Sequence, residues 1–98
     1  MTVSWSLTTT APGRSDTTMG VAHDREAAVT AALAAVQAAV DDARVSAGPA
    51  ARYELRAAGE LIAIIQTGAD ERGRPDHGEA GNVVGRIAAE RALSSLPG

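Results

Sequence analysis

The sequence predicts an α+β domain: a four-stranded, mainly antiparallel sheet with two helices on one face, in the order β-β-α-β-β-α. Three patterns predict it. Residues 2–10 alternate apolar and hydroxyl side chains, residues 24–44 form an alanine-rich helix with one aliphatic stripe, and residues 52–67 have the pattern of a β-hairpin. The 98 residues suit one domain, 1–98, and leave no room for a second independent core.

The composition is that of a globular protein with an unusual core, since 45% of the residues are hydrophobic and 21% are charged. There is no Phe, one Trp and one Tyr, so Ala, Val, Leu and Ile must fill the interior. Small side chains bury little area each, at about 25 cal/mol per Å² of apolar surface. We therefore expect either efficient packing or a partner surface that supplies the missing burial.

The charge pattern restricts the function classes. The net charge is −3 and all nine basic residues are Arg, which together with abundant Ala and Gly is typical of a high-GC, bacterial genome. Mild acidity argues against generic nucleic-acid binding, because phosphate contacts need a basic surface. The absence of Cys excludes disulfides and thiolate metal sites.

Targeting signals are not expected from the sequence. Residues 1–10 have neither a basic start nor an apolar run, so we expect no signal peptide. The longest strongly apolar run, residues 61–65, is too short to span a bilayer. These observations predict a cytoplasmic protein without membrane association.

The first two strands are predicted by period-two alternation. Thr2 to Thr10 places Val3, Trp5 and Leu7 on one buried face. Residues 11–16 contain Pro and Gly and predict a turn. Residues 17–22 predict the return strand, for which we expect Met19 and Val21 to point inward.

The long helix begins after Asp24, a residue type that favours the N-cap position. Its aliphatic stripe consists of residues at spacings of four, three and four: Val29, Leu33, Val36 and Val40. The Gly48-Pro49 pair predicts its end. The alanines beside the stripe let another backbone approach closely.

The second hairpin is predicted to turn at a three-residue loop, residues 57–59. This register sets Arg56 opposite Glu60 and Leu55 opposite Leu61. The predicted core face consists of Tyr53, Leu55, Leu61, Ala63 and Ile65.

The return strand of this hairpin is apolar on both faces. In the predicted register Ile62 and Ile64 point away from the core, and a slip by one residue would expose Leu61 and Ile65 instead. Because a sheet covered on one side only should not expose such residues, we expect another surface to cover the second face. Ile62 and Ile64 are the predicted interface residues.

A polar segment at about residues 68–82 is predicted to be a mobile loop, followed by a helix from about Glu79 or Asn82 to Ser95. The segment holds five candidate ligands for a divalent cation: Asp70, Glu71, Asp76, His77 and Glu79. Their order is neither that of a calcium loop nor that of a zinc site, and residues 76–79 fit a helix capping box. We therefore favour a structural role and assign no metal ligand.

Four arginines form a second candidate site for a phosphate group or an acidic partner: Arg52, Arg56, Arg72 and Arg74. The neighbouring acidic residue Glu54 dilutes their charge, and the aromatic side chains that stack RNA bases are missing there, apart from Tyr53. A solvated face is the simpler interpretation.

No motif assigns the chain to a family, and we assign no catalytic residue, cofactor-binding residue or cofactor. The sequence favours a small non-enzymatic interaction module, a homodimer or a subunit of a small complex. The alternative is a regulator that contacts nucleic acid or the ribosome through the four arginines. A small metal-binding protein or enzyme is a third hypothesis.

Overall fold

The computed structural model describes residues 2–94 and confirms the predicted α+β fold and element order. A short two-stranded hairpin is added between the fourth strand and the last helix. The elements are β1 (Val3–Ala11), β2 (Arg14–Ala22), α1 (Arg25–Ser46), β3 (Arg52–Ala57), β4 (Glu60–Gln66), β5 (Gly68–Ala69), β6 (Pro75–Asp76) and α2 (His77–Ser94).

The main sheet has the strand order β2-β1-β3-β4, and every neighbouring pair is antiparallel. Helix α1 connects the edge strand β2 to β3 and packs on β1, β2 and β3, while α2 packs on α1 and β4. Both helices therefore cover the same face, as predicted. We call the opposite face of the sheet the open face.

Helix α1 supplies nearly half of the core. Asp24 caps it as predicted, because its carboxylate accepts a hydrogen bond from the Ala27 amide at 2.7 Å. The helix ends at Ala47, whose left-handed conformation brings the Gly48 amide within 2.8 Å of the Ala43 carbonyl oxygen. Its buried residues are Ala28, Val29, Ala32, Leu33, Val36 and Val40.

The β1–β2 hairpin turns more tightly than the sequence predicted. Only Pro12 and Gly13 lie between the strands, and Gly13 takes the positive φ of 72° that such a turn needs. The resulting register pairs Ser4 with Val21 and Ser6 with Met19. The prediction that Met19 and Val21 point inward is wrong, because both lie on the open face.

The core-facing partner of Trp5 on β2 is Gly20. A methyl group at position 20 would lie 2.6 Å from atoms of the Trp5 ring, so the ring packs directly on the glycine backbone. The largest side chain of the protein is thus accommodated by the smallest residue.

The β3–β4 hairpin also differs from the prediction. Its loop has two residues, Ala58 and Gly59, with φ angles of 55° and 78°, a combination typical of a type I′ turn. Arg56 pairs with Leu61 rather than with Glu60.

A β-bulge lies farther along the same ladder. Leu55 pairs with Ala63 instead of the predicted Leu61, and the register shift leaves Ile62 without a partner residue on β3. Ile62 therefore packs against the core, so its predicted outward position is wrong, whereas Ile64 does lie on the open face opposite Glu54. Leu61, predicted to be in the core, is also on the open face.

The polar segment after β4 contains regular structure where the sequence predicted a mobile loop. Strands β5 and β6 pair across residues 70–74, and α2 begins at His77 rather than at Glu79 or Asn82. Asp76 caps α2 as the capping pattern suggested, since its carboxylate accepts a hydrogen bond from the Glu79 amide at 3.0 Å. The predicted helix end, Ser95, lies outside the described residues.

We predict that Gly20→Ala lowers the free energy of unfolding by about 1–3 kcal/mol, because the added methyl group must displace the Trp5 ring. Chemical denaturation measures the free energy, and the fluorescence of the single Trp reports the displaced ring. Gly85→Ala in α2 is the control. No atom lies within 4 Å of a methyl group there, so helix propensity should stabilise the protein by about 0.5–1 kcal/mol.

We also predict that stability falls as the pH rises above about 10. Burial raises the pKa of the Tyr53 phenol above its ordinary value, and a hydrogen bond with Thr67 offsets part of this effect. As the pH passes the ordinary pKa, the unfolded chain loses the phenol proton while the folded chain keeps it, so the unfolded state is favoured. Chemical denaturation at a series of increasing pH values measures how steeply the free energy of unfolding falls with pH.

Tyr53→Phe provides the matched test, because the chain has no Lys and no Cys to titrate in the same range. In this variant the free energy of unfolding should no longer fall as the pH rises above ~10. An unchanged slope in Tyr53→Phe would contradict this assignment.

Candidate interaction surface on the open face of the sheet

The open face is formed by alternate residues of all four strands, aligned by the observed register. Three complete rows cross the sheet from β2 to β4: Met19–Ser6–Arg56–Leu61, Thr17–Thr8–Glu54–Ile64 and Ser15–Thr10–Arg52–Gln66. Val21 and Ser4 continue the face beyond the first row. The face therefore has hydroxyl side chains on β1 and charged side chains on β3.

The two edge strands carry the apolar residues of this face. On β2, Met19 is 72% exposed and Val21 is 69% exposed, and on β4 Leu61 and Ile64 are 48% and 42% exposed. We call these four residues the apolar margins. They are four of the five exposed large hydrophobic residues in the described part of the chain, the fifth being Val45 near the end of α1. Exposed apolar residues are thus concentrated on one surface.

The centre of the open face is polar and internally paired. The Thr8 and Thr17 hydroxyls lie 3.1 Å apart, and the Arg56 guanidinium donates to the Glu54 carboxylate at 2.8 and 3.1 Å. Arg52 adds a cation that forms no ion pair within residues 2–92. With two arginines and one glutamate, the face is close to electrically neutral.

Sequence reasoning found only part of this surface. It identified Ile64, but it assigned Ile62 to the surface, Leu61 to the core and the two β2 residues to the interior. Alternation within β1 and β3 was a sufficient signal for those strands. For β2 the missing information was the length of its turn, and for β4 it was the length of the second turn and the position of one bulge.

The four candidate arginines lie on two different parts of the fold. Arg52 and Arg56 lie on the open face, whereas Arg72 and Arg74 belong to the turn between β5 and β6, where both backbone amides donate to the Asp70 carboxylate at 2.9 Å. Arg74 also lines a shallow cleft of about 350 Å³ that includes Arg44 and His77.

Three of the four acidic residues of the same segment have structural contacts. Asp70 closes the β5–β6 turn, Asp76 caps α2, and Glu79 pairs with Arg86 at 3.2 Å. Within the described part of the chain, no group of three or more His, Asp or Glu side chains is arranged to hold a metal ion.

His77 is the buried polar residue of this region, with 7% of its surface exposed. Its Nε2 donates a hydrogen bond to the Gly48 carbonyl oxygen at 2.8 Å, which ties the start of α2 to the loop after α1. Its Nδ1 is buried without a hydrogen-bond partner. The sequence indicated a candidate metal ligand here, and the structure shows a tether between the two helices.

A groove of about 510 Å³ runs between the two helices and was not predicted. Its walls are mostly small or aliphatic, including Leu33, Ala34, Val84 and Ala88. An ion pair between Glu26 and Arg91, at 3.3 Å, joins the helices beside it.

No protein-family model matches this chain, and comparison with curated proteins and with solved structures finds no significant match. Neither helix, over the residues described, is long and apolar enough to span a membrane. The function must therefore be inferred from the surface described above.

We predict that His77→Ala destabilises the protein by more than the roughly 1 kcal/mol of one hydrogen bond, because it also removes a buried ring. His23→Ala is the matched control, since the His23 side chain is 84% exposed. It should change the free energy of unfolding by less than about 0.5 kcal/mol. Equal effects of the two substitutions in thermal or chemical denaturation would contradict the tether.

Proposed function

We propose that this chain is a small, non-enzymatic interaction module that forms a homodimer through the open face of its sheet. The observation that supports the proposal is the concentration of exposed apolar residues there: Met19, Val21, Leu61 and Ile64. An antiparallel sheet with one solvated face normally alternates apolar-in with polar-out side chains. Apolar residues grouped on an exposed face typically mark an interaction surface.

A second copy suits this surface because of its charge. The whole chain carries a net charge of −3, but the open face has two arginines and one glutamate, and Arg56 is neutralised by Glu54. Two identical faces of this kind can approach each other without strong like-charge repulsion. In a symmetric dimer the same patch of each copy forms the contact, so this patch must be complementary to itself. The open face meets this need because it has apolar residues at both of its edges.

The composition of the core supports association as well. The buried apolar side chains are mainly Val, Ala and Leu, with one Ile and one Tyr, and Phe is absent. A domain of this size is marginally stable on its own. Burial of the apolar margins against a second copy would add hydrophobic stabilisation of about 25 cal/mol per Å².

A non-enzymatic role agrees with the contacts of the candidate chemical groups. Asp70 and Asp76 bond to backbone amides, and His77 bonds to a backbone carbonyl. These contacts hold the β5–β6 turn and the start of α2 in place, so each group has a structural task.

We predict that Ile64→Arg weakens dimerisation by at least tenfold, because burial of a charged side chain in place of an apolar one costs more than about 1.4 kcal/mol. Val45→Arg is the matched control: it adds the same charge at an exposed apolar position on α1, away from the open face. Sedimentation equilibrium over a range of concentrations measures the dissociation constant, and circular dichroism verifies that both variants fold.

Two results would contradict the proposal. One is a wild-type protein that stays monomeric at every concentration. The other is equal weakening by Ile64→Arg and Val45→Arg. Salt-sensitive retention of a monomeric wild type on RNA or DNA, reduced by Arg52→Ala, would favour the nucleic-acid alternative instead.

A further inference from the structure

Resting on the proposed function, we infer that Met19 is an oxidation site that controls association through the open face. A peroxide converts its thioether to the sulfoxide, which weakens the dimer, and reduction of the sulfoxide restores it. The inference depends on where the sulfur of this chain is located and on how exposed it is.

Met19 is the only sulfur-containing residue among residues 2–94. The sequence has two Met and no Cys, and the other Met is residue 1, which lies outside the described residues. No thiol therefore competes with the thioether for an oxidant. Oxidation of sulfur in residues 2–94 is thus confined to the open face, where Met19 lies opposite Ser6.

The thioether of Met19 is accessible to a small oxidant dissolved in water. The residue is 72% exposed and lies on β2, an edge strand that has a neighbouring strand on one side only. The next residue, Gly20, is the one on which Trp5 packs on the core-facing side of the sheet. Oxidation of Met19 therefore leaves the packing of the core in place.

The reaction transfers one oxygen atom and two electrons. A lone pair of the Met19 sulfur attacks one oxygen of hydrogen peroxide, so an S–O bond forms while the O–O bond breaks. The leaving hydroxide takes up the proton of the transferred oxygen, and the products are methionine sulfoxide and one water molecule. Methionine sulfoxide reductases, one for each sulfoxide epimer, reverse the change with two thiols, which yields the thioether, a disulfide and water.

Oxidation changes an apolar contact of the open face into a polar one. Met19 is one of the four residues of the apolar margins, and oxidation gives it a polar sulfoxide whose oxygen accepts hydrogen bonds from water. This hydration is lost when the face is covered, and burial of a polar group without equivalent hydrogen bonds is unfavourable. Ser6 across the ladder offers one hydroxyl proton, whereas Val21 on the same strand offers no donor. The sulfoxide therefore opposes association.

One residue makes the whole face responsive to oxidation. The other residues of the apolar margins have hydrocarbon side chains that a peroxide leaves unchanged: Val21, Leu61 and Ile64. In a symmetric dimer both copies contribute Met19, so complete oxidation acts twice. We expect the dissociation constant to rise by about fivefold or more.

Sedimentation equilibrium before and after treatment with hydrogen peroxide tests the inference. Peptide mass spectrometry verifies that Met19 has gained one oxygen atom, and circular dichroism verifies that the oxidised chain stays folded. The dissociation constant of the wild type should rise on oxidation and should return to its original value after incubation with the sulfoxide reductases.

Two variants provide the controls, and each is compared with the untreated protein of the same variant. Met19→Leu keeps an apolar side chain but has no sulfur at this position. Met19→Leu combined with Val45→Met transfers the thioether to a position on α1 that is 83% exposed and away from the open face. Peroxide should change the dissociation constant of either variant by less than about twofold. Met1 is present in every variant, so any effect of its oxidation is common to all of them.

Complete oxidation of Met19 with an unchanged dissociation constant would overturn the inference and leave the proposed dimer in place. Equal weakening of the wild type and of Met19→Leu would overturn it as well, because the effect would then come from another residue. If the untreated wild type is monomeric at every concentration, the proposed function fails and this inference fails with it.

Discussion

The packing of α1 across the sheet is the interaction on which the rest of the structure depends. The helix leaves the edge strand β2, crosses β1 and delivers the chain to β3, burying Val29, Val36 and Val40 on the way. Its end also places the Gly48 carbonyl oxygen where His77 can bond to it, which fixes the start of α2. Because both helices are thereby held on one side, no helix within residues 2–94 covers the open face.

The elements themselves could be predicted from the sequence, but the faces of two strands could not. The stripe of α1 and the alternation in β1 are local signals, and they gave the correct fold and the correct cap at Asp24. The face of β2 depends on a turn of two residues at Pro12-Gly13, and a change of one residue reverses every side chain. The number of residues in the turn thus decides which face each residue of β2 occupies, and composition does not reveal that number.

The same reasoning explains the candidate site. The sequence indicated an apolar surplus on β4 and inferred a covered second face from Ile62 and Ile64. The two-residue turn and the bulge together place Ile62 against the core and leave Leu61 and Ile64 outside. The strand therefore does expose two large apolar residues, but Leu61 takes the place of the predicted Ile62. The sequence analysis missed the residues of β2 because it assigned Met19 and Val21 to the core. The observed register places both of them on the open face.

The bulge in strand β4 matters for folding and for the proposed association. Its run from Leu61 to Ile65 is apolar throughout, so the hydrophobic effect alone discriminates poorly between two registers that differ by one residue. The bulge at Ile62 fixes one of these two registers. It also interrupts an apolar edge strand that would otherwise be a template for aggregation. The proposed dimer uses the open face instead of this edge, and on that face Leu61 and Ile64 lie beside the paired charges of Glu54 and Arg56.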